Sequence, residues 1–174
     1  MQADQAEFLC KFYAISLTNE HPVTRRVIDA IPDDKADYRP NDIVKSAMDL
    51  AWHIVLAEHR FMAAVINGAF EFGGTRPDSV KTVRDIAAWY GETFQRDVEQ
   101  IRTLPPDALL KVVDFRGIFK FPAVVYLQIG LHHSIHHRGQ LSMYLRPMGA
   151  KVPSIYGESY DATQARLLLG PTTS

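Results

Sequence analysis

A chain of 174 residues and 19.6 kDa suffices for one domain with one core and is too short for a second catalytic domain, so residues 1–174 are read as one unit. Hydrophobic residues are 47% and charged residues 22%, the composition of a folding globular protein and not of a disordered chain. Nineteen Lys and Arg against twenty Asp and Glu give a net charge of -1, which leaves no broad positive field to hold phosphate backbones, so nucleic acid is not an expected partner.

The single cysteine, Cys10, has no internal disulfide partner and matches no paired-cysteine metal or redox spacing, which points to a reducing compartment. Met1-Gln2-Ala3-Asp4-Gln5 lacks the positive and then apolar regions of a secretory signal, and no apolar run reaches membrane-spanning length. A cytoplasmic protein without a membrane partner is expected.

In chain order, the first helical segment covers about Asp4 to Ile31, with Phe8, Leu9, Phe12, Ile15 and Leu17 as its apolar stripe and a predicted break at His21-Pro22. Asn41-Asp42 offers an N-cap for a second helix reaching Asn67, striped by Ala47, Met48, Ala51, Ile54, Val55, Phe61, Met62 and Val65. Ser79 is the expected N-cap of a third, with Ile86, Ala87, Tyr90, Phe94, Val98 and Ile101 on one face, ending at Thr103-Leu104-Pro105-Pro106. The β-branched and aromatic stretch Lys111 to Phe121 reads as a short hairpin or extended crossover. Pro122 then opens a fourth long helix running to Pro147-Met148-Gly149, and a return loop leads to a short outer helix over Tyr160 to Leu169. The pattern is all-α: a four-helix bundle with a long crossover between the third and fourth helices, plus a short C-terminal helix.

Four of the seven histidines crowd into His132-His133-Ser134-Ile135-His136-His137. On a helix, residues four apart stack on one face, so the block holds two pairs, His132 with His136 and His133 with His137, either able to grip a divalent ion through neutral imidazole. Ser134, Arg138, Ser142 and Arg146 recur every four residues and read as a wet face, which turns His133 and His137 inward with Tyr126, Gly130, Leu141, Tyr144 and Met148. A further ligand has to come from a facing helix. His53 and His59 are available on the second, but His53 falls beside Lys45, Asp49 and Arg60, the position of an exposed residue or of a ligand at the rim of a wet pocket. Glu58 lies on another face and reads as a salt-bridge or pocket residue.

His133-Ser134-Ile135-His136-His137-Arg138-Gly139-Gln140-Leu141 resembles the His-x3-His-Arg-Gly-Gln signature of the DinB/YfiT-like four-helix-bundle metalloproteins. A mid-helix His53 in Ala51-Trp52-His53-Ile54 and the tail Val152 to Asp161 are also similar to that family. The resemblance implies a metal triad of His53, His133 and His137, with His132 and His136 outside it, Arg138 and Gln140 bracing helix packing, and homodimers as the expected assembly.

Three histidines leave open coordination positions, the arrangement of a reactive and not a structural site. The resemblance implies a transferase joining a low-molecular-weight thiol to a small electrophile, or a hydrolase. Asp49 and Glu58 are candidate bases for the latter by their place in the sequence alone, and a non-catalytic metal-binding, stress-related dimer is a third reading that the sequence allows. Zinc or nickel is the expected ion, with iron and manganese also compatible with imidazole. Tyr126, Tyr144 and Trp52 are candidate pocket walls, and Cys10, on an apolar stripe, is expected to be inert.

Overall fold

The computed structural model describes residues 1–169. Six helices and one hairpin follow in the order α1 (Ala3–Asp29), α2 (Ala47–Asn67), α3 (Val83–Arg102), α4 (Pro106–Leu110), β1 (Val112–Phe115), β2 (Phe119–Pro122), α5 (Val125–Leu145) and α6 (Tyr160–Leu169). The four long helices close a ring: α2 packs between α3 and α5, and α1 packs between the same two from the other side. This is the expected bundle, and the route from α3 to α5 is the expected long connection.

α1 departs from its predicted form. It is one helix through Pro22, not two. A proline costs an interior helix one hydrogen bond and some strain, but Pro22 is exposed, while Leu17 before it and Thr24, Val27 and Ile28 after it are buried on one continuous face. Packing on both sides of the proline outweighs the local defect. The apolar stripe also differs from the predicted one. Ala6, Cys10, Ala14 and Leu17 form the inward row, and Phe8, Phe12 and Ile15 are 52% to 67% exposed. The small side chains of Ala6, Cys10 and Ala14 let α1 approach its neighbours, whereas Phe8, Phe12 and Ile15 are left uncovered by the described residues.

Helix starts are set by local capping. Asn41 does not cap α2; its Oδ1 accepts from the amides of Ile43 and Val44 and forms a turn. Ser46 is the cap, its Oγ accepting from the Asp49 amide at 3.1 Å, and Gly68 closes the helix at φ 67°. Likewise Thr82, not Ser79, caps α3, through a reciprocal box with Asp85. Pro122 ends β2, so α5 begins at Val125 instead of at the proline. The hairpin is antiparallel, pairing Val112 with Pro122 and Phe115 with Phe119, and Asp114 Oδ1 accepts from the Gly117 amide across its tip. α4, a single turn within the predicted Pro105-Pro106 stop, was not expected.

A layer of paired polar groups crosses the middle of the bundle. Glu58 on α2 is 3% exposed and accepts from the Tyr90 hydroxyl of α3 at 2.7 Å. Burial pushes its carboxyl above the usual range, opposed by the Tyr90 hydroxyl and the charge of Arg138. Arg138 on α5 is 1% exposed and donates to Glu20 and Thr24 of α1 and, at 2.6 Å, to the Tyr156 hydroxyl of the return loop. Ser134 and Arg138, read from sequence as a wet face, are therefore buried.

Candidate metal centre

α2 and α5 form the most extensive helix pair of the bundle, and their facing surfaces bring His53, His133 and His137 together. One ring nitrogen from each lies within 4.8 Å of the other two. His53 Nε2 and His137 Nε2 are 3.2 Å apart, close to the ~3.3 Å that two nitrogens at about 2.05 Å from one tetrahedral ion would span. The ring centroids are separated by 4.4 to 4.9 Å.

The hydrogen bonding fits a cation. An amide oxygen can only accept, so the 2.9 Å contact from Gln140 Oε1 makes His137 Nδ1 the donor and leaves the lone pair of a neutral His137 on Nε2, facing His53. His133 Nδ1 is buried without a hydrogen-bond partner. Burial first, and the neighbouring imidazoles second, lower the pKa of His53 and His133 to about 4, so both rings are neutral near pH 7. Imidazole nitrogens brought this close are placed to share a proton or a metal ion. Among the described residues this is the one group of three or more such side chains close enough to hold an ion.

The match to a family model decides the kinship: residues 6–168 fit that of the DinB family.

The chain belongs to the DinB family.

Among DinB-family relatives, it is 29% identical over 130 residues to the uncharacterized protein YjoA of Bacillus subtilis strain 168, covering 73% of this chain and 82% of that one. The crystal structure of B. subtilis YjoA, a DinB-like protein, superposes with a TM-score of 0.68 at 24% identity, covering 82% of this chain and 96% of that chain. A DinB-like protein from Bacillus cereus ATCC 10987 gives a TM-score of 0.70 at 26% identity, with 83% and 95% covered.

The other histidines of this DinB-family chain lie elsewhere. His132 and His136 are exposed on α5. His59 pairs instead with the buried Asp97 of α3, Nδ1 to Oδ2 at 2.5 Å. His21 on α1 packs against Tyr90 and Phe94. Of the face expected to be wet, Ser134 and Arg138 are buried and only Arg146 is exposed, yet His133 and His137 still meet His53. Gly130 was read as leaving space in the inward histidine row; a Cβ there would come within 2.8 Å of Phe61 Cβ, so it makes room for Phe61.

A cavity of about 200 Å³ adjoins His53 and His133. Its walls are not the predicted Tyr126, Tyr144 and Trp52. Tyr126 is buried with its hydroxyl on the Val113 carbonyl, Tyr144 is in the core, and Trp52 packs on Trp89. The cavity is walled instead by Phe61, Phe70, Phe72 and Phe115, with Arg60 and Arg116. Phe70, Phe72 and Phe115 come from the loop after α2 and from the hairpin, where no helical periodicity marks them. Gln140, expected to brace helix packing, instead accepts from His137 Nδ1, three residues away on the same helix face.

Proposed function

We propose that this protein is a metal-dependent transferase in which His53, His133 and His137 hold one divalent ion, zinc or nickel in preference to iron or manganese, and a low-molecular-weight thiol is joined to a small electrophile. The observation that carries the reading is the convergence of three imidazoles beside an aromatic cavity. A divalent ion on three imidazoles retains open positions and supplies Lewis acidity that keeps a bound thiol deprotonated at neutral pH. The protein's own part is to orient and to exclude water. Gln140 fixes the tautomer of His137, and the phenylalanines form a dry wall against which an apolar electrophile can lie.

One observation favours thiol transfer over hydrolysis. A hydrolase needs a base near its water, and no carboxylate is among the residues that wall the cavity. Glu58 is buried against Tyr90, and Asp49 accepts from Ser46 Oγ at 2.8 Å at the start of α2. Cys10 is no rival nucleophile: it is buried on α1 and burial raises its pKa. A homodimer belongs to the proposal, with exposed Phe8, Phe12 and Ile15 on one side of α1 as its apolar face; a dimer mass by light scattering, falling to a monomer in Phe8→Ser/Phe12→Ser, is the expected result.

Elemental analysis of the untagged protein tests the site. About one equivalent of zinc or nickel is expected in the parent, and little in the variant His53→Ala/His137→Ala. Conjugation of a free thiol to 1-chloro-2,4-dinitrobenzene should then depend on both metal and thiol. Parent protein that takes up no metal overturns the site; metal without turnover in the presence of thiol leaves the non-catalytic metal-binding dimer, and turnover without thiol leaves the hydrolase.

A further inference from the structure

The cavity beside the histidines combines an apolar wall with unpaired cations. Phe61, Phe70, Phe72 and Phe115 contact one another with ring centroids 5.0 to 6.1 Å apart, a packed aromatic lining and not four isolated side chains. Into the same space project Arg60 of α2 and Arg116 of the hairpin tip. Among the described residues neither guanidinium has a carboxylate partner. Arg60 donates through one nitrogen to the Gly73 carbonyl at 2.5 Å, leaving further N–H groups uncommitted, and Arg116 lies over the Phe72 ring at 4.1 Å. The carboxylate nearest Arg116 in sequence, Asp114, is occupied by the Gly117 amide and Lys120. Arg116 also carries a positive φ of 56°, the one such residue besides glycine among those described, so the turn holds this side chain against Phe72 at a cost in backbone strain.

A cavity of about 150 Å³ lined by apolar side chains admits a benzene ring, and this one, at about 200 Å³, has room for one ring and a short arm. Guanidinium is the group best shaped to grip a carboxylate or phosphate. We infer that the cavity takes a small single-ring or similarly apolar molecule bearing a carboxylate or comparable anion, with the phenylalanines holding its body and Arg60 and Arg116 its charge. The inference deepens the transferase reading and rests on it for the reaction, since it places such a molecule beside His53 and His133; the binding itself requires no ion.

Calorimetric titration of the full chain, zinc-free and zinc-loaded, with phenylacetate and with its uncharged amide, phenylacetamide, tests it. Phenylacetate should bind in both states and at least about tenfold more tightly than the amide. Arg116→Met and Arg60→Met should each weaken phenylacetate by about tenfold while leaving the amide unchanged. If Arg60→Met loses its fold with the Gly73 contact, Arg116→Met, at an exposed tip, carries the test. Equal binding of acid and amide, no binding of phenylacetate, or binding that needs zinc and ignores both arginines overturns the inference. Zinc-free protein that never takes up zinc but binds phenylacetate through the arginines removes the metal reading and leaves this one standing; zinc uptake without anion preference does the reverse.

Discussion

Two polar clusters share α2 and α5 and differ in almost every other respect. On α2, His53 and Glu58 point about 140° apart, and on α5 His133 and His137 lie about 100° from Ser134 and Arg138. The histidine cluster is half-buried, and its His133 Nδ1 is unsatisfied. In the other cluster, Glu58 and Arg138 are buried to 3% and 1% and each is matched, Glu58 by Tyr90 and Arg138 by Glu20, Thr24 and Tyr156. Buried charge persists only when paired, so the second cluster ties α1, α2, α3, α5 and the return loop together. Ser134 Oγ beside it is also unpartnered, so what sets the histidine cluster apart is the convergence of three ring nitrogens.

The two clusters are therefore expected to respond to substitution in opposite ways. The largest expected effect is on stability: Arg138→Met leaves Glu20 without its charged partner and should cost about 3 kcal/mol, the low end for a broken buried pair because Glu20 keeps the Tyr156 hydroxyl and some access to water. Urea unfolding of the metal-free protein measures it, and a loss below about 0.5 kcal/mol would remove the structural assignment of this layer.

Gln140→Ala should do the reverse, weakening zinc binding by about 10- to 100-fold through the freed His137 ring, with the metal-free unfolding midpoint unchanged. Competition with a chelator reads the affinity. A smaller effect of the opposite sign is expected from His133→Phe. It replaces an unsatisfied buried nitrogen by apolar surface and should stabilise metal-free protein by up to about 1 kcal/mol while zinc binding is lost. Destabilisation of the metal-free state by this change would mean that the histidines serve the core.

The smallest effect concerns His21, which belongs to neither cluster. Burial, and then the charge of Arg25, lowers its pKa to about 4 from 6.5. A histidine held neutral in the folded state contributes stability that is present above pH 6.5 and is lost as the pH falls from there toward about 4. His21→Phe should therefore flatten part of the acid limb of a plot of melting temperature against pH, with the slope above pH 7 unchanged. An identical acid limb in variant and parent would show that protonation of His21 does not contribute to acid unfolding.

The sequence by itself determined the elements with long-range periodicity or a distinctive motif. Four long helices, the hairpin between the last two and the pairing of His133 with His137 were legible because helix spacing is a local property, fixed at about 3.6 residues per turn. Helix starts were legible only approximately, since Asn41, Ser46, Ser79 and Thr82 are all competent caps and the choice among them depends on where the following stripe meets its neighbours.

What only the tertiary structure decided was orientation. A helical wheel orders residues around an axis but does not say which arc faces a partner helix. For that reason Ser134 and Arg138 read as wet although they are buried, and Phe8 and Phe12 read as core although they are exposed. His53 was ambiguous on its own helix for the same reason, until α5 lay opposite it. The aromatic and cationic walls of the cavity come from α2, a loop and a hairpin tip, and residues so far apart in the chain become neighbours only when the bundle closes.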